Sequence, residues 1–253
     1  MIVLKSPEEI EVMRAANLIV AEVLAALRER VAPGVTTADL DRIAEELTRR
    51  RGAMPAFKGY QVHGRTFPSS LCVSVNDEVV HGIPSDRRVL SEGDIVGLDF
   101  GVCYREFYGD AAVTLGVGQI DAPSHRLMRA TQEALMDGIE QVRVGNRLGD
   151  VSAAIQERVE RDGFAVVRDF VGHGIGKRLH EEPQVPNFGV RNRGVRLRAG
   201  MVLAIEPMVN AGQSAVTITD DGWTAVTADG SRSAHFEHSG AVTETGPYVL
   251  SQP

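Results

Sequence analysis

The sequence predicts an α+β fold in two pseudo-symmetric halves, with helices packed outside a curved antiparallel sheet. Three observations predict it. Helical periodicity fills two separated stretches, residues 7–50 and 125–162; strand-like runs follow each of them; and a small set of residues recurs at one offset. Gly34, Asp39, Leu40 and Gly52 match Gly145, Asp150, Val151 and Gly163, in each case 111 positions later. Each half then reads as two helices followed by strands, and a site falls naturally between the halves, where strands from both converge. Residues 1–253 read as one domain, long enough to bury a sizeable core.

The first helix starts at Ser6-Pro7-Glu8-Glu9. Ser6 can cap, Pro7 suits the first helical position, and Glu9 completes a capping box. Ile10, Met13, Val20, Leu24 and Leu27 then recur at helical spacing until Pro33-Gly34 breaks the pattern. A second helix spans about 37–50, with Leu40, Ile43, Ala44 and Leu47 inward and Gly52 just past its end. Strand-like runs follow at 71–75, 94–103 and 111–117. A helix resumes over 125–142, Gly145 interrupts it, and another runs to about 162 before Gly163. The remainder is strand-rich, at 201–205, 215–219, 223–227 and 241–243.

Composition excludes several functions. The formal charge of −7 argues against a surface that coats nucleic acid. Arg191, Arg193, Arg196 and Arg198 form one basic run, which reads as a solvated edge or, alternatively, as a contact with a ribosome surface. Cys72 and Cys103 are the only cysteines and form no CxxC pair, which suits a reducing compartment. The N-terminus turns acidic at Glu8-Glu9, before a signal-peptide core could form, and no apolar run approaches a membrane span. These features describe a cytoplasmic protein, expected to be a monomer. Gly172, Gly174 and Gly176 do not make GxGxxG and no Walker pattern is present, so nucleotide binding has no support; His180-Glu181-Glu182 is not HExxH.

The chemistry concentrates in a few segments. His173-Gly174-Ile175-Gly176-Lys177-Arg178-Leu179-His180 carries two imidazoles on a glycine-rich stretch, which reads as room for a substrate backbone to approach. Asp99 sits between Gly97 and Gly101 on one face of a strand, with Val96, Leu98 and Phe100 on the other. Asp110 follows Gly109, a common turn pair, and can face Asp99 across a hairpin. Glu206 ends an apolar strand before Pro207, and Glu237 lies in Ala234-His235-Phe236-Glu237-His238. Each alone has a bland reading as a turn, surface or salt-bridged residue. Together they form an oxygen-rich set that suits Mn²⁺, Fe²⁺, Co²⁺ or Zn²⁺, with enough negative charge for two divalent ions. Paired ions activate water for amide hydrolysis. His81, at the turn His81-Gly82-Ile83-Pro84, suits a proton shuttle or a local backbone tether. His63, His125, His235 and His238 lack such surroundings and read as structural or surface residues.

These motifs resemble those of the type I methionine aminopeptidases, of the dinuclear "pita-bread" peptidase family. The matching segments are Asn76-Asp77-Glu78-Val79-Val80-His81-Gly82-Ile83-Pro84, Asp94-Ile95-Val96-Gly97-Leu98-Asp99, Gly109-Asp110, Gly172-His173-Gly174-Ile175-Gly176, His180-Glu181-Glu182-Pro183-Gln184-Val185, Ile205-Glu206-Pro207-Met208-Val209-Asn210, Asp221-Gly222-Trp223-Thr224 and Glu237-His238. They cover nearly the whole chain in the family's order. The resemblance implies that Asp99, Asp110, His173, Glu206 and Glu237 bind two metal ions, Asp110 and Glu237 bridging. It implies that Glu206 takes a proton from the attacking water, His180 contacts the scissile carbonyl or oxyanion, and His81 contacts the amide nitrogen. Tyr60, Phe67, Cys72 and Trp223 would line a pocket for the methionine side chain. The implied substrates are nascent polypeptide N-termini with a small second residue. Leu179 departs from the family's usual aromatic, Val80 from a common cysteine, and Ala111 from a frequent threonine; the stretch 61–66 is longer than usual. The rival readings are a proline-specific peptidase of the same fold and a non-catalytic binding protein that keeps it.

Overall fold

Each helix begins where a side chain can satisfy its free N–H groups. The structure, a computed structural model, describes residues 1–62 and 64–252; His63 lies outside the described residues. In α1 (Pro7–Arg28) the Ser6 hydroxyl accepts from Glu9 N while the Glu9 carboxylate accepts from Ser6 N at 3.0 Å. In α2 (Thr37–Arg50) Thr36 and Asp39 make the same reciprocal pair. The strands of the first half are β1 (Met54–Pro55), β2 (Gln61–Val62), β3 (Arg65–Thr66), β4 (Cys72–Val75), β5 (Glu78–Val80), β6 (Ile95–Tyr104) and β7 (Phe107–Gly116).

The second half repeats the plan. Helix α3 (Ala122–Glu140) begins three residues before the expected position, because Asp121 accepts from Ser124 N at 2.8 Å and Pro123 fits the first turn. Helix α4 (Leu148–Arg161) is α2 displaced by 111 residues at both ends. The flanking glycines agree: Gly34, Gly52, Gly145 and Gly163 all take positive φ, the conformation that favours glycine. The strands are β8 (Ala165–Val166), β9 (Gly172–Gly174), β10 (Glu181–Val185), β11 (Val202–Ile205), β12 (Met208–Asn210), β13 (Val216–Ile218), β14 (Ala225–Thr227), β15 (Ser233–His235), β16 (Glu237–Thr243) and β17 (Gly246–Val249).

A nine-stranded sheet runs β1-β6-β7-β16-β11-β9-β10, with β4 on β6 and β17 on β16. Its pairings are antiparallel, and β7 against β16 joins the halves. The helices cover one face. Leu24, Leu27 and Leu40 pack with Leu98 and Phe100 in the first half, and Leu135 and Ile155 pack with Leu203, Ile205 and Val242 in the second. Each such side chain contributes about 1.5–3 kcal/mol on burial. The alternation expected around Asp99 therefore holds: Leu98 and Phe100 face the helices, and Asp99 faces the other side.

The basic run is exposed, and Arg191 is engaged by Glu157 through Nε and Nη2 at 2.9 and 2.5 Å. No described helix is long and apolar enough to cross a membrane.

Candidate metal centre and active site

Register places the carboxylates. Ala112 of β7 lies opposite Asp99 of β6 on one side and opposite Glu237 of β16 on the other. Asp110 lies two residues along β7, on the same face. The sequence suggested a turn at Gly109-Asp110, but both residues are mid-strand and the hairpin turns at Arg105-Glu106, which both take positive φ. Gly109 is glycine because α1 crosses β7 there: a Cβ would lie 2.7 Å from Asn17 N. Gly101 is glycine for a related reason, since a Cβ would crowd Phe57 and the Asp110 carboxylate.

The second half closes the ring. Ala204 of β11 pairs with His173 of β9, and Glu206 follows the end of β11. His173 Nε2 stands 3.6 Å from Glu206 Oε1 and 3.9 Å from Asp110 Oδ2. Donor atoms of Asp110, His173 and Glu237 all lie within 4.8 Å of one another. The His173 Nδ1 proton goes to Gly174 O at 2.9 Å, which leaves an Nε2 lone pair facing the carboxylates.

The glycines around His173 make room for the protein's own chain on the side where a Cβ would stand. A methyl at Gly172 would overlap the Ala204 carbonyl, one at Gly174 the Glu182 carbonyl, and one at Gly176 the Lys5 and Glu181 side chains. The room they make is filled by β11, β10 and a buried ion pair. Lys5 Nζ meets Glu181 Oε2 at 2.6 Å with both side chains almost wholly buried, which pins the chain beside His180 to the N-terminal segment.

These acids fit a cation. Asp99 Oδ1, Asp110 Oδ1 and Glu237 Oε1 are buried without a hydrogen-bond partner. Burial pushes the Asp99 carboxyl up to about 7, with Glu206 adding to the effect and His235 opposing it. Burial also raises Glu206 to about 8. Asp110 and Glu237 rise well above the usual carboxylate range, through burial first and neighbouring carboxylates second. Mutually repelling buried acids need protons or cations, and imidazole nitrogen among carboxylate oxygens is a donor set for divalent metals.

The remaining site residues line one cavity of about 460 Å³. Tyr60, Phe67, Cys72 and Trp223 all border it, as do Leu179, His81, His180 and the acids. Asp221 Oδ1 accepts from the backbone N of Trp223 and Thr224, which turns the indole edge-on to Phe67 at 5.2 Å. The Tyr60 hydroxyl lies 2.6 Å from His180 Nδ1; donating to it leaves His180 Nε2–H free. His81 takes a φ of 61°, and its ring stands edge-on to Phe170 at 5.3 Å. Burial lowers His81 to about 4 and His173 to about 3, so both are neutral near pH 7.

Sequence reasoning missed Phe57, Phe170 and Met208 on the walls and His235 at the acids. His235 is buried, with Nε2 3.5 Å from Glu206 Oε2. Its proximity in sequence to Glu237 was the available signal. His238 and His125 are as expected: His238 Nδ1 meets the Ser251 hydroxyl at 2.8 Å, and His125 is exposed.

Residues 11–244 match the model of metallopeptidase family M24. The chain belongs to that family. Among its M24 relatives, a methionine aminopeptidase from Clostridium perfringens is 54% identical over 99% of both chains. Methionine aminopeptidase 1 of Bacillus subtilis is 48% identical over 100% of both. The crystal structure of a methionine aminopeptidase from Thermotoga maritima superposes with a TM-score of 0.97 at 49% identity, covering 100% of both chains. The fold is therefore the pita-bread fold of the M24 metallopeptidases, and the chain is a metal-dependent hydrolase.

Proposed function

We propose that the protein removes the N-terminal methionine from nascent polypeptides, preferring a small second residue, as one catalytic domain spanning residues 1–253. One observation carries the reading: four carboxylates and His173 line one cavity together with Tyr60, Phe67, Cys72 and Trp223, and atoms of three of the acids are buried without a hydrogen-bond partner. The aromatic faces and the thiol suit a flexible thioether side chain. The free amine of the substrate belongs beside the carboxylates, which explains why cleavage would be confined to the chain end.

Asp99, Asp110, His173, Glu206 and Glu237 are the residues that would hold two divalent ions. Bound there, such ions supply Lewis-acid polarisation of the scissile carbonyl and an activated water. Glu206, whose Oε1 lies 3.6 Å from His173 Nε2, would accept the proton of the attacking water. His180 donates from Nε2 to the carbonyl oxygen as negative charge develops there. Neutral His81 contacts the amide nitrogen and assists its protonation as it leaves. The free thiols of Cys72 and Cys103 suit action in the cytoplasm.

The test is a peptide panel, Met-Ala-Ser against Met-Glu-Ser and Ala-Pro-Ser, with Mn²⁺, Fe²⁺, Co²⁺ or Zn²⁺ added to metal-free protein. Methionine should be released from Met-Ala-Ser fastest. Cleavage of Ala-Pro-Ser alone would favour a proline-specific peptidase, and no cleavage with any metal would overturn the proposal.

A further inference from the structure

The Glu206 carboxylate has an imidazole at each oxygen. His173 Nε2 faces Oε1 at 3.6 Å, and His235 Nε2 faces Oε2 at 3.5 Å. The two rings are not equivalent. His173 Nε2 offers a lone pair and lies within 4.8 Å of Asp110 and Glu237 donors, whereas His235 belongs to no such cluster among the described residues. His235 is 3% exposed, and its Nε2 is buried with no hydrogen-bond partner. Its backbone is held on both sides by one hydroxyl: His235 N donates to Thr114 Oγ1 at 2.9 Å, and Thr114 Oγ1 donates to His235 O at 2.8 Å. Strand β15 is fixed further by the pairing of His235 with Met208. A buried ring carried on a backbone held this firmly, with an unsatisfied nitrogen 3.5 Å from one carboxylate oxygen, has the placement of an orienting contact.

We propose that His235 is a positioning residue for Glu206: its Nε2–H donates to Oε2 and keeps Oε1 turned toward His173 and the other acids. The 3.5 Å gap lies just beyond a hydrogen bond and closes with a small rotation of either side chain, as such contacts do when a site is loaded. The inference rests on the metallopeptidase reading above. A carboxylate that must face a cation and also accept a proton loses efficiency when it rotates freely, so a partner on one oxygen assigns separate tasks to the two.

The test compares His235→Leu, which removes the donor, with His235→Gln, which keeps an N–H on a side chain of similar reach. Activity on Met-Ala-Ser is measured on metal-loaded protein, and Mn²⁺ binding to metal-free protein is followed by calorimetry. Loss of an orienting partner costs about 10–100-fold in metal affinity or turnover. In His235→Leu, kcat should fall about 10–100-fold with KM within about twofold, and Mn²⁺ affinity should fall with the stoichiometry unchanged. His235→Gln should recover most of both. If the leucine variant does not fold, His235→Asn, too short to span the gap, replaces it. Loss of a metal equivalent would make His235 a ligand and overturn the proposal, as would a Gln variant no better than Leu. The binding data decide this even if wild-type protein releases no methionine, an outcome that would instead sink the peptidase reading.

Discussion

Replacing His180 with alanine separates substrate chemistry from metal binding. The imidazole borders the cavity, edge-on to His173 with ring centroids 4.3 Å apart, and Tyr60 holds its Nδ1 at 2.6 Å. Burial lowers its pKa, so in the proposed role it would act as a neutral donor through Nε2. The residue is exposed on its outer side, so truncation should change stability by only about 0.5 kcal/mol. Loss of one preorganised donor to a developing oxyanion costs about 10²–10³ in kcat, or roughly 2.7–4 kcal/mol of barrier. His180→Ala should therefore lose about that much turnover on Met-Ala-Ser while binding as much metal as wild type. Tyr60→Phe should show the same effect more weakly, because it releases the tautomer but leaves the ring. Turnover within threefold of wild type would refute the oxyanion role, and loss of bound metal would make His180 a ligand.

Three further outcomes are expected. In metal-free protein Asp99 and Glu206 keep protons up to about 7 and 8 that the unfolded chain gives up near 4, so they lose stability as pH rises through that window. Buried His81, His173 and His238 act oppositely below 6.5, so the net fall in Tm should begin near pH 6.5, continue past about 8 because Asp110 and Glu237 are raised as well, and shrink when metal is added; a flat or rising Tm would contradict the pKa shifts. Lys5→Met leaves the Glu181 side chain buried without its cation and with only the Arg178 N–H on its carboxylate, which should cost about 3–5 kcal/mol in denaturant unfolding and lower methionine release, whereas the further change Glu181→Gln should recover part of both. Gly174→Ala forces β10 away from β9, which should cost about 1–3 kcal/mol or more and weaken metal binding through His173; calorimetry on the purified variant checks both.

Local signals were legible where the chain decides locally. The bounds of α2 follow from Thr36, its capping box and Gly52, and the 111-residue offset located α4 from α2 alone. The five proposed donors came through the resemblance, and strand register accounts for the shared neighbourhood of Asp99, Asp110 and Glu237 and for the place of His173 beside β11. The rest was tertiary in origin. The β6–β7 turn at Arg105-Glu106 carries no glycine or asparagine to announce its positive φ, so the sequence places the strand start at Ala111 and Gly109-Asp110 keeps a turn as its alternative reading. Gly109 and the glycines around His173 are small to let the protein's own chain pass, information held by residues far away in sequence. Strands as short as β9, β12 and β15 show no period, which hid His235 beside a carboxylate from another strand.

The most direct test of the account is one titration of metal-free protein with Mn²⁺, following bound ions and methionine released from Met-Ala-Ser in the same samples. No release is expected without metal, a rise with the ions bound up to two per chain, and none from the same peptide with its amine acetylated. Release that ignores metal, or tight metal binding in the cavity without release, would contradict it.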